Sequence, residues 1–208
     1  MNADAALQKL IDGNARYALT ANGGAESHIK VKNHQSLKTQ NPFAIILSCS
    51  DSRVPVELVF DQGLGDLFVI RVAGNIAAPS QIGSVEFACQ KFNTPLVVVL
   101  GHSSCGAISA TVDSLINDIN ESGETNPMSP NLAAIVDQVA PSASSVIAKN
   151  KSSNREELLY KTMRANVAQS VKQLELGSSI ISDLIKQKQL TIVGAEYSLE
   201  SGKIEFYL

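Results

Sequence analysis

Two short segments hold most of the side chains able to do metal or acid–base chemistry. They are Cys49-Ser50-Asp51-Ser52-Arg53 and Gly101-His102-Ser103-Ser104-Cys105-Gly106. Cys49, His102 and Cys105 together offer two sulfurs and one imidazole, a donor set suited to Zn²⁺. Three protein ligands leave the fourth tetrahedral position open, as in catalytic rather than structural zinc sites. Residues two apart in extended backbone face the same way, so Asp51 lies close to Cys49, with Arg53 beside it. The carboxylate either takes the fourth position itself or orients a water there. An arginine held against it supplies a charge-assisted hydrogen bond that favours the ionised form. Zinc with two thiolates and a neutral imidazole is formally neutral and polarises its water less than a tris-imidazole site. Help from a donor such as Asp51 is therefore expected, with a rate that rises on the alkaline side.

The elements that must position these residues are short apolar runs. Residues 43–47 and 96–100 read as buried strands ending directly before the two segments. Parallel strands place their carboxyl ends on one edge of the sheet, where open α/β sheets bind ligands. Neighbouring strands would therefore bring Cys49, His102 and Cys105 together. Further strands are expected at 67–70 and 190–195, with a hairpin turn at Ser201-Gly202 into 203–208. Helical periodicity marks 3–19, 83–92, 131–147, 155–176 and 178–187, and a helix should run from near Cys105 to about Ile119. A second short helix is expected within 27–40, and loop chemistry fills 120–130. The expected fold is α/β: a mostly parallel central sheet with one antiparallel edge strand, flanked by helices, plus an N-terminal helical arm. No linker divides the chain, so 1–208 reads as a single domain, with 1–40 as the arm and 41–208 as sheet core and C-terminal helices.

Composition narrows the function classes. The chain has 208 residues, 44% hydrophobic and 18% charged, with a net charge of −3. That composition supports a packed core and excludes wholesale disorder. The chain lacks the basic stripe of a nucleic-acid binder. Its longest apolar run, Leu96 to Leu100, is too short to span a bilayer. Residues 1–4 carry no leader signal, so a cytoplasmic protein is expected. Three cysteines are too few and too sparse for a disulfide framework. Cys89, on an apolar helix, reads as a core filler. His28 and His34 read as solvated. Arg71 reads as a strand-end arginine paired with a carboxylate.

The paired motifs resemble those of the β-class carbonic anhydrases. The similarity extends through 60–75 and 83–87 and resumes at 193–202. The resemblance implies reversible hydration of CO₂ to bicarbonate and a proton, by hydroxide at one Zn²⁺ per chain held by Cys49, His102 and Cys105. It implies an Asp51–Arg53 dyad as the catalytic pair. Gln40 and Phe68 match a substrate pocket, and Phe87 falls where some members carry a tyrosine. Val72 and the backbone of Gly106 are expected to complete that pocket. It also implies a homodimer or tetramer, with an N-terminal arm packed on a neighbour. One subtype has an inhibitory bicarbonate site that needs a tryptophan where this chain has Ile46. The chain contains no Trp, so that site is not expected.

Overall fold

The computed structural model describes residues 1–21, 39–119, 128–150 and 152–207. Five strands form one sheet in the order β2-β1-β3-β4-β5. They are β1 (Ala44–Ser48), β2 (Leu67–Arg71), β3 (Leu96–His102), β4 (Thr191–Tyr197) and β5 (Ile204–Tyr207). The first four pair in parallel, and β5 runs antiparallel to β4 at the edge. The expected sheet, including its single antiparallel edge strand, is the one found.

The two central strands explain the pattern. Every residue of Ala44–Ser48 and of Leu96–His102 is buried, as continuous apolar runs in parallel sheets should be. Alternate side chains serve two cores. Ile45, Leu47, Val97 and Val99 join one; Ala44, Ile46, Leu96, Val98 and Leu100 join the other. Cys49 and Cys105 belong to the first. The chain leaves β1 on one side to make β2, then returns to the other side for β3. The carboxyl ends of β1 and β3 are thus a topological switch point, the crevice where such sheets take ligands.

Helices α1 (Ala3–Ala21), α2 (Val56–Val59), α3 (Pro79–Phe92), α4 (Gly106–Ile119), α5 (Pro130–Lys149), α6 (Arg155–Leu176) and α7 (Ser179–Lys186) flank the sheet. Helix α1, the described part of the expected N-terminal arm, turns one face to its own chain. Ala6, Leu10, Asn14 and Ala18, four residues apart, form its buried face. Asn14 donates to the carbonyls of Val59 (3.1 Å) and Gly202 (2.9 Å) and accepts from the Ile204 amide (2.8 Å). One face of α1 therefore packs on the chain's own core, while Ile11 and Leu19 on the helix stay exposed. The rest of the expected arm (22–38), with His28, His34 and most of the second short helix, lies outside the described residues.

Other differences are local. Helix α3 starts at Pro79 rather than Gly83, because proline at the first helical position loses no hydrogen bond. Strands β3 and β4 run on to the pair His102↔Tyr197. Helix α2 and a single turn at Ala73–Asn75 are too short to show a period in sequence.

At Gly13, α1 comes close to the backbone that follows α2. A Cβ there would lie 1.9 Å from the Phe60 carbonyl oxygen, a backbone atom that cannot swing aside. Gly13→Ala is expected to destabilise the chain by about 1–3 kcal/mol, as overpacking does. Urea denaturation measures this, and an unchanged midpoint would contradict the packing described.

Candidate metal centre

The candidate ligands arrive from the two central strands. Ser48 pairs with Leu100, so Cys49 leaves β1 beside Gly101, next to His102. The Ser103–Ser104 turn then carries the chain to Cys105 at the start of α4. That turn is held from β4: the Ser103 amide donates to Tyr197 O (3.0 Å), and Ser103 Oγ accepts from the Leu199 amide (3.0 Å). Ser104 adopts a left-handed φ of 55°, which turns the chain sharply into the helix.

One ligand atom each from Cys49, His102 and Cys105 falls within 4.8 Å of the others, and all three residues are buried. The two sulfurs are 4.0 Å apart. Tetrahedral zinc with bonds of about 2.3 Å would set them roughly 3.8 Å apart. His102 Nδ1 sits 2.9 Å from Ser103 O. A carbonyl only accepts, so Nδ1 carries the proton and Nε2 keeps its lone pair. Among the described residues that buried Nε2 has no hydrogen-bond partner, which costs about 1–3 kcal/mol unless something fills the gap. A cation among the three donors would use it. The residues therefore fit zinc, on the chemistry of the donors and on the orphaned nitrogen.

Electrostatics prepare the two sulfurs differently. The Cys49 thiol is pushed down, first by its hydrogen bond with Cys105 and further by the Gly74 amide, against burial. Cys105 is pushed up, first by the same pair and then by burial. The two sulfurs thus pull in opposite directions, Cys49 towards the thiolate and Cys105 towards the thiol. Zinc needs both as thiolates, so it competes with protons for the pair and its uptake weakens as pH falls. Zinc competition with a chelator between pH 6 and 8 should show affinity climbing with pH; a flat profile would contradict this assignment.

Asp51 is pinned beside the site. Its Oδ1 accepts from Arg53 Nε and from the Arg53 amide (both 2.9 Å), and its Oδ2 from Arg53 Nη2 (2.7 Å). Arg53 is braced in turn on Ser104 O (3.2 Å). The guanidinium holds the carboxyl of Asp51 well below the usual carboxylate range. Its Oδ2 lies 4.0 Å from His102 Nε2. A fixed, ionised acceptor thus stands at the edge of the ligand set, and the bidentate grip answers whether the carboxylate is free to roam.

Arg71 differs from its expected role. Among the described residues it pairs with no carboxylate; Nε donates to Cys49 O (3.0 Å) and Nη2 to Asp51 O. It therefore clamps the backbone of the ligand loop from the end of β2. Arg71→Ala should lower kcat/KM for the reaction of this site by about 10-fold, as loss of a ligand-orienting group does. Stopped-flow kinetics check this, and unaltered kinetics would count against the clamp.

The expected pocket residues divide into two groups. Val72 follows β2, its amide bonded to Ser48 O (3.1 Å), and Gly106 opens α4 directly after Cys105; both adjoin the ligands. Phe68 pairs with Ile45, four residues before Cys49, which at about 3.3 Å per residue leaves it roughly 13 Å along the strand. Phe68 clusters instead with Phe87 and Phe92, ring centroids about 6 Å apart. Gln40 and Phe87 are exposed. A single chain does not bring Gln40, Phe68 or Phe87 to its own ligand cluster. Cys89 stands apart, buried in the core, its thiol pushed up to about 11 by burial. Sequence reasoning missed one contact altogether: the Gly74 amide donates to Cys49 Sγ at 3.4 Å. A backbone donor has no sequence signature beyond the glycine.

Comparison with known proteins agrees with this geometry. Residues 44–204 match the profile of the carbonic anhydrase family (Pro_CA). A carbonic anhydrase of Mycolicibacterium smegmatis is 36% identical over 207 residues, spanning 98% of this chain and 93% of that one. Among solved structures, the β-carbonic anhydrase CcaA superposes with a TM-score of 0.70 at 25% identity, covering 97% of this chain and 87% of that one. A tetrameric β-carbonic anhydrase of Sordaria macrospora shares the fold, with a TM-score of 0.66 at 21% identity over 92% of this chain and 95% of its own. With its switch-point cluster of two sulfurs and an imidazole, the chain belongs to the β-class of the carbonic anhydrase family.

Proposed function

We propose that this chain catalyses the zinc-dependent, reversible hydration of CO₂ to bicarbonate and a proton, with Cys49, His102 and Cys105 holding one zinc. The observation that carries this is the buried three-donor cluster with its orphaned His102 Nε2, set 4.0 Å from a carboxylate that Arg53 holds in place. Zinc, when bound there, makes a water acidic enough to act as a nucleophile near neutral pH. Asp51, ionised and gripped by Arg53, accepts a hydrogen bond from the attacking water oxygen and aims its lone pair at carbon. Arg71 keeps the Asp51 backbone from drifting. Val72 offers an apolar wall for CO₂, and the positive end of the α4 dipole, which opens at Gly106, favours the negative charge of bicarbonate.

Stopped-flow CO₂ hydration with a pH indicator tests this. The expected result is a rate above background that disappears with a strong chelator and returns with zinc. Background rates from fully zinc-loaded protein would overturn the reading. Because Asp51 stays ionised across the neutral range, the rate should climb on the alkaline side with no limb from its carboxyl; a flat profile would count against the mechanism.

The active assembly is a homodimer or tetramer, in line with the tetrameric relative. Phe68, Phe87 and Gln40 lie away from their own chain's ligands and complete the pocket of a second copy. Light scattering should return an oligomer, and a fully active monomer would sink this part. The subtype is the one without bicarbonate inhibition. Added bicarbonate should cause no lag, and a lag lost in Arg71→Ala would refute the assignment. We assign the protein to the cytoplasm, where two thiols 4.0 Å apart stay reduced. Among the described residues no helix is long and apolar enough to cross a membrane.

A further inference from the structure

A chain of hydrogen bonds reaches the Cys49 sulfur from the middle of helix α6. Asn166 and Ser170 are each 1% exposed and lie one helical turn apart, so they present polar groups from the same face of the helix. Asn166 Nδ2 donates to Gly74 O at 2.7 Å across 92 residues of sequence. Ser170 Oγ donates to Asn75 O at 3.0 Å. The turn they grip is in a conformation that side chains rarely adopt: Gly74 has φ 71° and Asn75 has φ 45°. The Asn75 amide closes the turn on Val72 O (3.0 Å). A Cβ on Gly74 would crowd Ala107 Cβ at 3.2 Å and meet Val139 Cγ2 in ordinary contact at 3.5 Å, so α4 and α5 pack closely on this turn. With two successive carbonyls tied to α6, the remaining amide, Gly74 N–H, is aimed at Cys49 Sγ at 3.4 Å.

We propose that Asn166, seconded by Ser170, is a positioning residue for the Cys49 sulfur: it holds the 73–75 turn so that the Gly74 amide donates to that sulfur and limits the charge it gives to the metal. The proposal rests on Cys49 being a zinc ligand. An amide donor draws electron density from a thiolate. A metal bound to a poorer donor stays more electrophilic, which partly offsets the weak polarising power of a site with two thiolates. Asn166 touches neither the ligand atoms nor substrate; it acts through Gly74.

Thr162 supplies the control. It lies one turn before Asn166 on α6 and is fully buried, and among the described residues its hydroxyl has no hydrogen-bond partner. Truncating it disturbs the same packing without touching the turn. The test replaces zinc by Co²⁺ in the full chain and reads the sulfur-to-cobalt charge-transfer absorption, together with CO₂-hydration kinetics of the zinc forms. Asn166→Ala should move the charge-transfer band to lower energy, because the sulfur becomes more electron-rich. Its zinc form should lose kcat by about 10-fold with KM little changed. Ser170→Ala should shift the band the same way by less, and Thr162→Ala should leave it in place.

An unshifted band in cobalt-loaded Asn166→Ala overturns the proposal, as does an equal shift in Thr162→Ala. If Asn166→Ala does not fold, Ser170→Ala decides, and an unshifted band there overturns it. Failure of the wild-type chain to bind cobalt through sulfur would remove the zinc reading itself, a result distinct from an unshifted band in a loaded variant.

Discussion

His102→Ala should leave the chain with background zinc and background CO₂ hydration. Cys49→Ser and Cys105→Ser should do the same. The expectation follows from the donor count. The site has three candidate protein ligands from the ends of two strands and the turns after them, and losing one leaves two donors and a buried gap. Serine is close in size to cysteine but remains protonated at neutral pH, so it offers no thiolate charge. For His102 the effect on the metal-free chain has opposite parts. Its Nε2 is a buried atom without a partner among the described residues, and deleting it removes a desolvation cost of about 1–3 kcal/mol while opening a cavity. The apo variant should therefore fold, and its defect should show when metal is added. Wild-type protein gains thermal stability with rising zinc by mass action; the variants should show no such gain. Elemental analysis beside a thermal melt settles it. A variant retaining one zinc per chain would remove that residue from the ligand set.

The second large effect concerns Asp51 and Arg53. Asp51→Asn keeps the outline of the side chain but turns an ionised acceptor into a neutral amide, half of which donates towards a guanidinium. Loss of a positioned acid–base group typically costs 10²–10⁴-fold in rate, and about 10²-fold or more in kcat is expected here. Arg53→Ala should cost nearly as much by a different route. It removes both guanidinium contacts and the brace on Ser104, leaving a carboxylate 4.0 Å from His102 Nε2 free to turn inward. Arg53→Lys should recover little, since an ammonium cannot make the parallel pair of bonds. Because the two residues act as a unit, the double variant should be scarcely worse than either single one. Additive losses in a double-mutant cycle would show that Asp51 and Arg53 work independently.

Much of this centre was legible from residue types. The runs 43–47 and 96–100 have to be buried central strands, and that places Cys49 and His102 at one sheet edge once the strands are neighbours. The offset between Asp51 and Arg53 was enough to foresee their contact. What sequence could not supply is register and backbone direction. Phe68 belongs beside Ile45 rather than beside Cys49, which only the pairing of β2 with β1 decides. Arg71 has carbonyls as partners, and carbonyls carry no residue identity. The amphipathic face of α1 was visible, but not which surface it would cover. Asn166 did leave a trace: Thr162, Asn166 and Ser170 put polar groups at four-residue spacing on a helix face otherwise rich in apolar residues. Such a row signals a buried polar contact without naming the turn it grips.

The ligands come from strands that are consecutive in the sheet but far apart in the chain, and that separation orders events during refolding. Cys49 and His102 can meet only after β1 and β3 have paired, a parallel contact closed across a long loop that forms slowly. The metal therefore cannot seed this fold, as it does in small zinc-nucleated modules; it joins a nearly finished sheet. Refolding with zinc present from the start should proceed at the same speed as refolding without it, and metal capture should trail the growth of strand signal.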